Sequence, residues 1–354
     1  MQQFELAAKG TRLVLKENVL AVFSDVLLKT LSSAIHNGGS AETRAIVNAQ
    51  VTEEYGDKLL HEDPKAFVLQ SAGKLRLTED FVGMVTFAAV KDFALSSKRE
   101  DDLGVSVVAT AGCTHAESAG EKIEVQKIEG TVNIIVLIDG NPTDGCLTSA
   151  IITATEAKTA ALRELDLRSR YSGDEATGTI TDAMVVAATG KGAPIVYSGP
   201  ASKLGQLVGF CTRKAVREAV MKGKVGGCVL SRSIADRLAE RHLPVEKLAH
   251  ELAKVISLGA DEETLAASLA KIMSDPASAS AVLAAAKMDE DYAKGLLPPE
   301  VSNADVLGQF GGLLVKQATR DADSSSIDLQ PFLKQVLIGL LEQALRKAKT
   351  GNLK

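Results

Sequence analysis

Two hydroxyls, Ser32 and Ser33, stand just ahead of His36, Asn37 and the pair Gly38 and Gly39. A hydroxyl can attack a carbonyl or donate a hydrogen bond. Consecutive glycines let successive backbone N–H groups point into one concavity, which suits an oxyanion or a carbonyl-rich ligand. A surface loop closed by a glycine turn uses the same residues. Asn133 interrupts the otherwise apolar run Val132 to Ile138. A buried carboxamide without partners costs about 1–3 kcal/mol, so this one is either paired to nearby backbone or reaches a pocket. The segment Ala176 to Asp182 (ATGTITD) sets Thr177, Gly178, Thr179 and Thr181 ahead of a carboxylate at a strand entrance. Such a turn can hold a neutral, amide-bearing ligand, or simply close on itself.

Glu156 and Lys158 lie two positions apart in TATEAKTAAL, about 200° around a helix, so they cannot both face one site from its middle. Glu156 shares a face with Ala160 and Arg163. Lys158 shares one with Leu162 and Leu165, an apolar surface its stem can cover. Lys191 sits between Gly190 and Gly192, but the six-residue phosphate loop of the Walker type is absent, which removes a nucleotide-phosphate reading.

Composition narrows the classes further. The chain has 354 residues, a formal charge of −5, 4% aromatic residues and no tryptophan. Neither a phosphate backbone nor a stacked single strand is recognised by such a surface, so nucleic acid is not an expected partner. Cys113, Cys146, Cys211 and Cys228 are widely spaced, without a C-x-x-C pair, and point to neither a metal site nor a disulfide framework. A reducing cytoplasm is the expected location. Met1 to Phe23 carries Glu5, Lys9, Arg12, Lys16 and Glu17, which argues against a signal peptide or a membrane span.

The elements that must position these groups follow from periodicity. Leu13 to Leu15, Val19 to Phe23, Val82 to Val90, Val105 to Thr110, Val132 to Ile138 and Asp182 to Thr189 read as strands, with Leu31 to Gln50 a polar, glycine-bearing stretch. Cys146 to Leu165 and a segment from Pro200 to Val220 place apolar residues at threes and fours, as helices burying one face. Beyond Gly227 five segments are helical: Ser231 to Leu258, Glu262 to Met273, Ala279 to Lys294, Val301 to Arg320 and Asp328 to Lys349. The expected organisation is a mixed α/β domain over residues 1–226 and an all-helical domain over residues 227–354. The helical part is expected to cap the first domain or to form a homo-oligomer interface.

Six blocks, LSSAIHNGG with the following RAIVN, TAGCTHAESAG, GTVNIIV, TATEAKTAALREL, ATGTITDAMVVA and YSGPASKLGQLVG, occur in this order between about Ser32 and Gly209. Together they resemble the adenosylcobinamide amidohydrolase family. The resemblance implies hydrolysis of the amide joining the aminopropanol arm to the corrin ring of adenosylcobinamide, giving adenosylcobyric acid for corrinoid salvage. The corrinoid would be the substrate, with no cofactor required. Two positions depart from the family pattern: His115 stands where an asparagine is usual before Ala116, and Ile180 replaces the second glycine of ATGTGTD. A fainter resemblance, over Gly130 to Ala188, is to the DmpA-type self-cleaving aminopeptidases. It implies a four-layer αββα sandwich, hence an α/β (α+β) layered fold.

Amide hydrolysis needs a nucleophile, donors for the developing oxyanion and an acid for the departing amine. Candidates for the first are Ser32 or Ser33, or a water activated by Glu156 or Asp182. Asn133 and glycine-loop N–H groups would serve the oxyanion. Ser33, Asn133, Glu156 and Asp182 are thus the catalytic candidates. Ser32, Asn37, Gly38, Gly39, Asn48, Thr177, Gly178, Thr179 and Thr181 are the substrate-binding ones. Alternatives to the hydrolase are a non-catalytic corrinoid-binding or carrier protein and a DmpA-type aminopeptidase.

Overall fold

A computed structural model describes residues 2–52, 63–123, 130–223, 232–256, 260–298 and 329–351. The chain divides into two compact units, Met1–Ser231 and Arg232–Lys354. The expected boundary between residues 226 and 227 lies outside the described residues, as do the segment Val301 to Arg320, Asp328 and Cys228.

In the first unit the strands β1 (Gln2–Glu5), β2 (Thr11–Lys16), β3 (Val19–Ser32), β4 (Gly39–Gln50), β5 (Val82–Thr86), β6 (Ala94–Glu100) and β7 (Leu103–Gly112) precede the two-residue β8 (Ala116–Glu117). After it come β9 (Thr131–Asp139), β10 (Asn141–Pro142), β11 (Gly178–Thr179), β12 (Ala183–Ala188) and β13 (Pro194–Ile195). The helices are α1 (Pro64–Gly73), α2 (Asp144–Glu164) and α3 (Lys203–Lys222). Among the described residues nine strands form one sheet folded on itself, and β3 is the fold line. Its first part pairs with β2, its last part with β12, and the register slips between Phe23 and Leu28. One half thus runs β1-β2-β3-β4-β5 and the other β3-β12-β9-β7-β6, with β9 and β12 parallel.

Strand alternation fixes the layers. In β9, Val132, Ile134, Val136 and Ile138 pack with Cys146, Leu147, Ala154 and Leu162 of α2 and Leu207, Val208 and Val216 of α3. The intervening Ile135 and Leu137 meet Leu20, Val22, Ile46 and Met84 from the other half. Outside that half, Ala45, Val47 and Ala49 pack on Phe67, Val68 and Ala72 of α1. The result is the expected layered α/β sandwich, in the order α, β, β, α.

Local signals explain the helices and one misreading. Thr143 caps α2 by accepting the Cys146 N–H, and Ser202 caps α3 by accepting the Gly205 N–H. The polar stretch Leu31 to Gln50 contains β4, a twelve-residue strand. Its polar residues Glu42 and Arg44 face solvent while Ala45, Ile46 and Val47 are buried, so half of the strand carries little apolar signal.

In the second unit α4 (Ile234–Ala239), α5 (Val245–Ala253), α6 (Glu262–Ser274), α7 (Pro276–Ala293) and α8 (Pro331–Gly351) bury Leu248, Leu252, Leu265, Leu269, Val282, Phe332, Leu337 and Leu341. The expected single segment Ser231 to Leu258 is two helices: α4 closes in a turn with His242 at φ 62°, and Pro244 then opens α5. Asp289 of α7 is buried and accepts the Phe332 and Leu333 N–H groups at 2.9 and 2.8 Å, capping α8. Burial raises its carboxyl above the ordinary carboxylate range, against the pull of those two N–H groups. The folded state therefore binds this proton more tightly than the unfolded one. Stability is gained as pH falls through the raised value towards about 3.9, the unfolded reference, and lost as pH rises again. Urea midpoints of the full chain between about pH 4 and 7 should show this slope, and Asp289→Asn should flatten it.

Candidate active site

Topology gathers most of the family-like blocks at one end of the sandwich; YSGPASKLGQLVG, which opens α3 beside Asp101 of the β6–β7 turn, lies at the other. The start of β9 (Thr131 to Asn133), the start of β12 (Ala183, Met184), the end of β3 (Ser32) and the end of β7 (Thr110 to Gly112) are hydrogen-bonded neighbours. The turn leading into β12 carries Thr177 to Asp182 to the same end.

Asp182 is the hub of this turn. Its Oδ1 accepts the Val132 N–H at 2.8 Å and the Thr179 hydroxyl at 2.5 Å. Its Oδ2 accepts the Thr179 N–H at 3.2 Å and the Lys158 ammonium at 2.5 Å. A carboxylate offers about four lone-pair sites, so fixed donors occupy them all and leave little capacity to activate a water. Lys158 stands on the buried side of α2, its side chain 12% exposed. Gly178 is the residue this pair requires. A Cβ there would lie 2.5 Å from Asp182 Oδ2 and 2.8 Å from Lys158 Nζ. Thr181 shares a hydrogen bond with Thr131 at 2.8 Å, and Thr177 accepts the Ala119 N–H at 2.9 Å. All four turn residues are therefore held in place by local contacts.

Asn133 and Asn48 meet between the two halves of the sheet, on the face that carries Ile135 and Ile46 farther in. Asn133 Nδ2 donates to Asn48 Oδ1 at 2.9 Å and to the Val85 carbonyl at 2.7 Å, while its Oδ1 accepts the Ala183 N–H at 3.0 Å. Asn48 Nδ2 donates to Thr110 Oγ1 at 2.9 Å. Both Asn133 protons are committed within the fold, which is a bracing arrangement and leaves none for an oxyanion.

Ser33 is exposed, and its backbone and side chain both meet Met184: Ser33 N–H donates to the Met184 carbonyl, and Ser33 Oγ accepts the Met184 N–H, each at 3.0 Å. The hydroxyl proton is left to donate. No base touches it among the described residues. Ser32 lies within the β3–β12 ladder, and among the described residues its Oγ accepts only a long bond from the Ala34 N–H.

Beyond Ser33 the loop turns away. His36 is buried against the Phe81 ring and directs Nε2 to the Glu79 carbonyl, while Asn37, at φ 51°, donates to the Glu79 and Phe81 carbonyls. Gly38 is needed because a Cβ would strike the Ala34 carbonyl, and Gly39 because its φ is +78°. These four residues tie the loop to β5, and their geometry is that of a closed turn.

Glu156 is not brought to this cluster. It is exposed on the other side of α2 from Lys158 and lines a groove of about 850 Å3 with Ile151, Ile152, Arg163, Glu164 and Arg213. His115 is buried, and its Nε2 lies 2.5 Å from Arg170. A guanidinium only donates, so this nitrogen accepts.

Two residues that sequence reasoning passed over belong to the site. Lys158 looked like a snorkelling stem because the matching carboxylate lies 24 residues away. Glu117 stands in β8 directly opposite Gly178 of β11. Its signal was its place in the block TAGCTHAESAG. Burial, with Asp182 and Glu121 nearby, raises the Glu117 carboxyl, and Lys158 opposes them. Cys113 is buried in the same region, its thiol pushed up to about 12 chiefly by burial. Among the described residues no three His, Cys, Asp or Glu side chains group as metal ligands, and no helix is long and apolar enough to cross a membrane.

A protein of Methanosarcina mazei named adenosylcobinamide amidohydrolase is 29% identical over 221 residues, covering 61% of this chain and 96% of its own. An uncharacterized protein of Methanocaldococcus jannaschii is 33% identical over 205 residues, 52% of this chain and 79% of that one. The crystal structure of the PH0078 protein from Pyrococcus horikoshii aligns over 60% of this chain and 83% of its own at 13% identity, with a TM-score of 0.31, too slight a likeness to define a fold. The family model described as adenosylcobinamide amidohydrolase matches residues 5–225, the layered sandwich from the last residue of β1 through its three helices. The chain belongs to the adenosylcobinamide amidohydrolase family.

Proposed function

We propose that this protein hydrolyses the amide between the corrin side chain and aminopropanol in adenosylcobinamide, releasing adenosylcobyric acid. The observation that carries this reading is the family match over residues 5–225, most of whose blocks converge on one end of the sandwich. Composition suits the substrate. The corrin periphery is rich in neutral amides, and the residues gathered at that end are chiefly hydroxyls, carboxamides and backbone groups.

A serine nucleophile needs a base within hydrogen-bond reach. Ser33 has none among the described residues, so water is the better attacking group. Ser33 then serves as a donor: its Oγ already accepts the Met184 N–H, which leaves and polarises its own proton for the oxyanion. Asp182, Lys158, Asn133 and Asn48 act by holding strand ends and the turn Thr177 to Thr181 in register.

Purified protein incubated with adenosylcobinamide should yield adenosylcobyric acid and free aminopropanol, resolved by chromatography with mass detection. Ser33→Ala should reduce kcat by about a hundredfold, the usual loss for one oxyanion donor, with no covalent ester trapped in either protein. Corrinoid bound stoichiometrically and recovered uncleaved would favour the binding or carrier protein instead.

A further inference from the structure

Three carboxylates stand around the turn into β12: Asp182, Glu121 and Glu117. Asp182 is saturated by four donors. Glu121 is tied by the Ser118 N–H and by the Ser169 hydroxyl at 2.9 Å. Glu117 makes no side-chain hydrogen bond and no ion pair among the described residues, and it is half-buried. Its backbone, by contrast, is fixed. It pairs with Gly178 in the β8–β11 ladder, and its carbonyl accepts the Thr177 N–H at 2.8 Å.

That pairing sets what the carboxyl can reach. Residues directly opposite in an antiparallel ladder project to the same face with Cβ atoms about 4.5–5.5 Å apart. The partner here is a glycine. The point its Cβ would occupy lies beside Asp182 Oδ2 and Lys158 Nζ. Glu117 therefore leaves the backbone next to the Lys158–Asp182 pair with no side chain intervening. It is a carboxyl without a side-chain partner among the described residues, on a strand whose backbone is fixed, at the end of the sandwich where most of the family blocks meet.

We infer that Glu117 is the general acid of this site, the group that protonates the departing amine. The inference rests on the amidohydrolase reading. An alkyl amide expels its nitrogen only as that nitrogen takes up a proton. Water adds to the carbonyl carbon and loses a proton to solvent. The C–N bond then breaks, its electron pair stays on nitrogen, and the Glu117 carboxyl proton goes to that nitrogen. Solvent re-protonates Glu117. The products are a corrin carboxylic acid and a primary amine.

The surroundings favour the protonated form of this carboxyl, the form an acid needs. Burial, Asp182 and Glu121 all favour the protonated form, and Lys158, already paired with Asp182, opposes them. One carboxylate held by fixed donors and another left to titrate is the division of roles that acid catalysis uses.

The test compares wild type with Glu117→Gln and Glu117→Asp on adenosylcobinamide and on a nitrophenyl ester of the same corrin side chain, whose leaving group departs without a proton. Glu117→Gln should lower kcat on the amide by about 10²–10⁴-fold, with KM little changed, and on the ester by less than about tenfold. Wild-type kcat/KM on the amide should fall as pH rises through the Glu117 range. That limb should be absent in Glu117→Gln and present in Glu117→Asp. Equal losses on both substrates, or an unchanged pH profile, would assign Glu117 a structural part and overturn the inference while the amidohydrolase reading stands. A wild-type protein that leaves adenosylcobinamide intact would overturn that reading, and the acid role with it.

Discussion

Asp182→Ala should lower the unfolding free energy of the full chain by about 3–5 kcal/mol, the cost of leaving one member of a buried ion pair uncompensated. The side chains of Lys158 and Asp182 are 12% and 16% exposed, so solvent screens little of their attraction. Removing the carboxylate also leaves the Val132 and Thr179 N–H groups without their acceptor. Urea unfolding at neutral pH measures the loss. Asp182→Asn, which keeps an oxygen for one backbone donor but turns an NH2 towards Lys158 or Thr179, should fall between. Gly178→Ala should act through the same pair, because its methyl would occupy the space of Asp182 Oδ2 and Lys158 Nζ. A double variant replacing Lys158 and Asp182 with Met and Leu should recover part of the loss, since no charge is then stranded. Additive losses in that double variant would show that the pair is not coupled.

This arrangement also shows where reading a sequence succeeds. The strands Val132 to Ile138 and Asp182 to Thr189 and the helices Cys146 to Leu165 and Pro200 to Val220 were legible because both faces of each strand, or one face of each helix, are buried. β4 was not, because its first half faces water. The helix α1 was missed among the strands of residues 1–95; its apolar residues Phe67, Val68 and Ala72 are too few to mark a face. At the site, the turn ATGTITD and Asn133 stood out by type alone. Their partners did not. Lys158 reaches Asp182 across 24 residues and Asn133 reaches Asn48 across 85, pairings that only the folded sheet creates. Glu117 was hidden differently, since its opportunity comes from an absent side chain at Gly178 on the opposite strand.

The carboxamide pair at the end of the interlayer core has a polarity that a single-atom change exposes. Asn133 turns its NH2 towards two oxygens, Asn48 Oδ1 and the Val85 carbonyl, and is 1% exposed. Asn133→Asp would set a carboxylate oxygen against both, in a buried place where no cation touches it among the described residues. At pH 7 the loss should be about 3–5 kcal/mol, that of an unpaired buried charge. The unfolded carboxyl titrates near 3.9, and the buried one should hold its proton to a higher pH. The folded variant then binds more protons than the unfolded chain, so its stability should climb as pH falls from 7 towards 4, where a protonated carboxyl can donate to one of the two oxygens. Asn133→Ala should lose about 2 kcal/mol or more, with no such slope. Asn48→Asp makes the contrast: its replaced NH2 faces the Thr110 hydroxyl, which can rotate and donate. Its other oxygen keeps the bond from Asn133. That variant should be clearly milder than Asn133→Asp, and equal losses would mean that the two carboxamides are oriented the other way round.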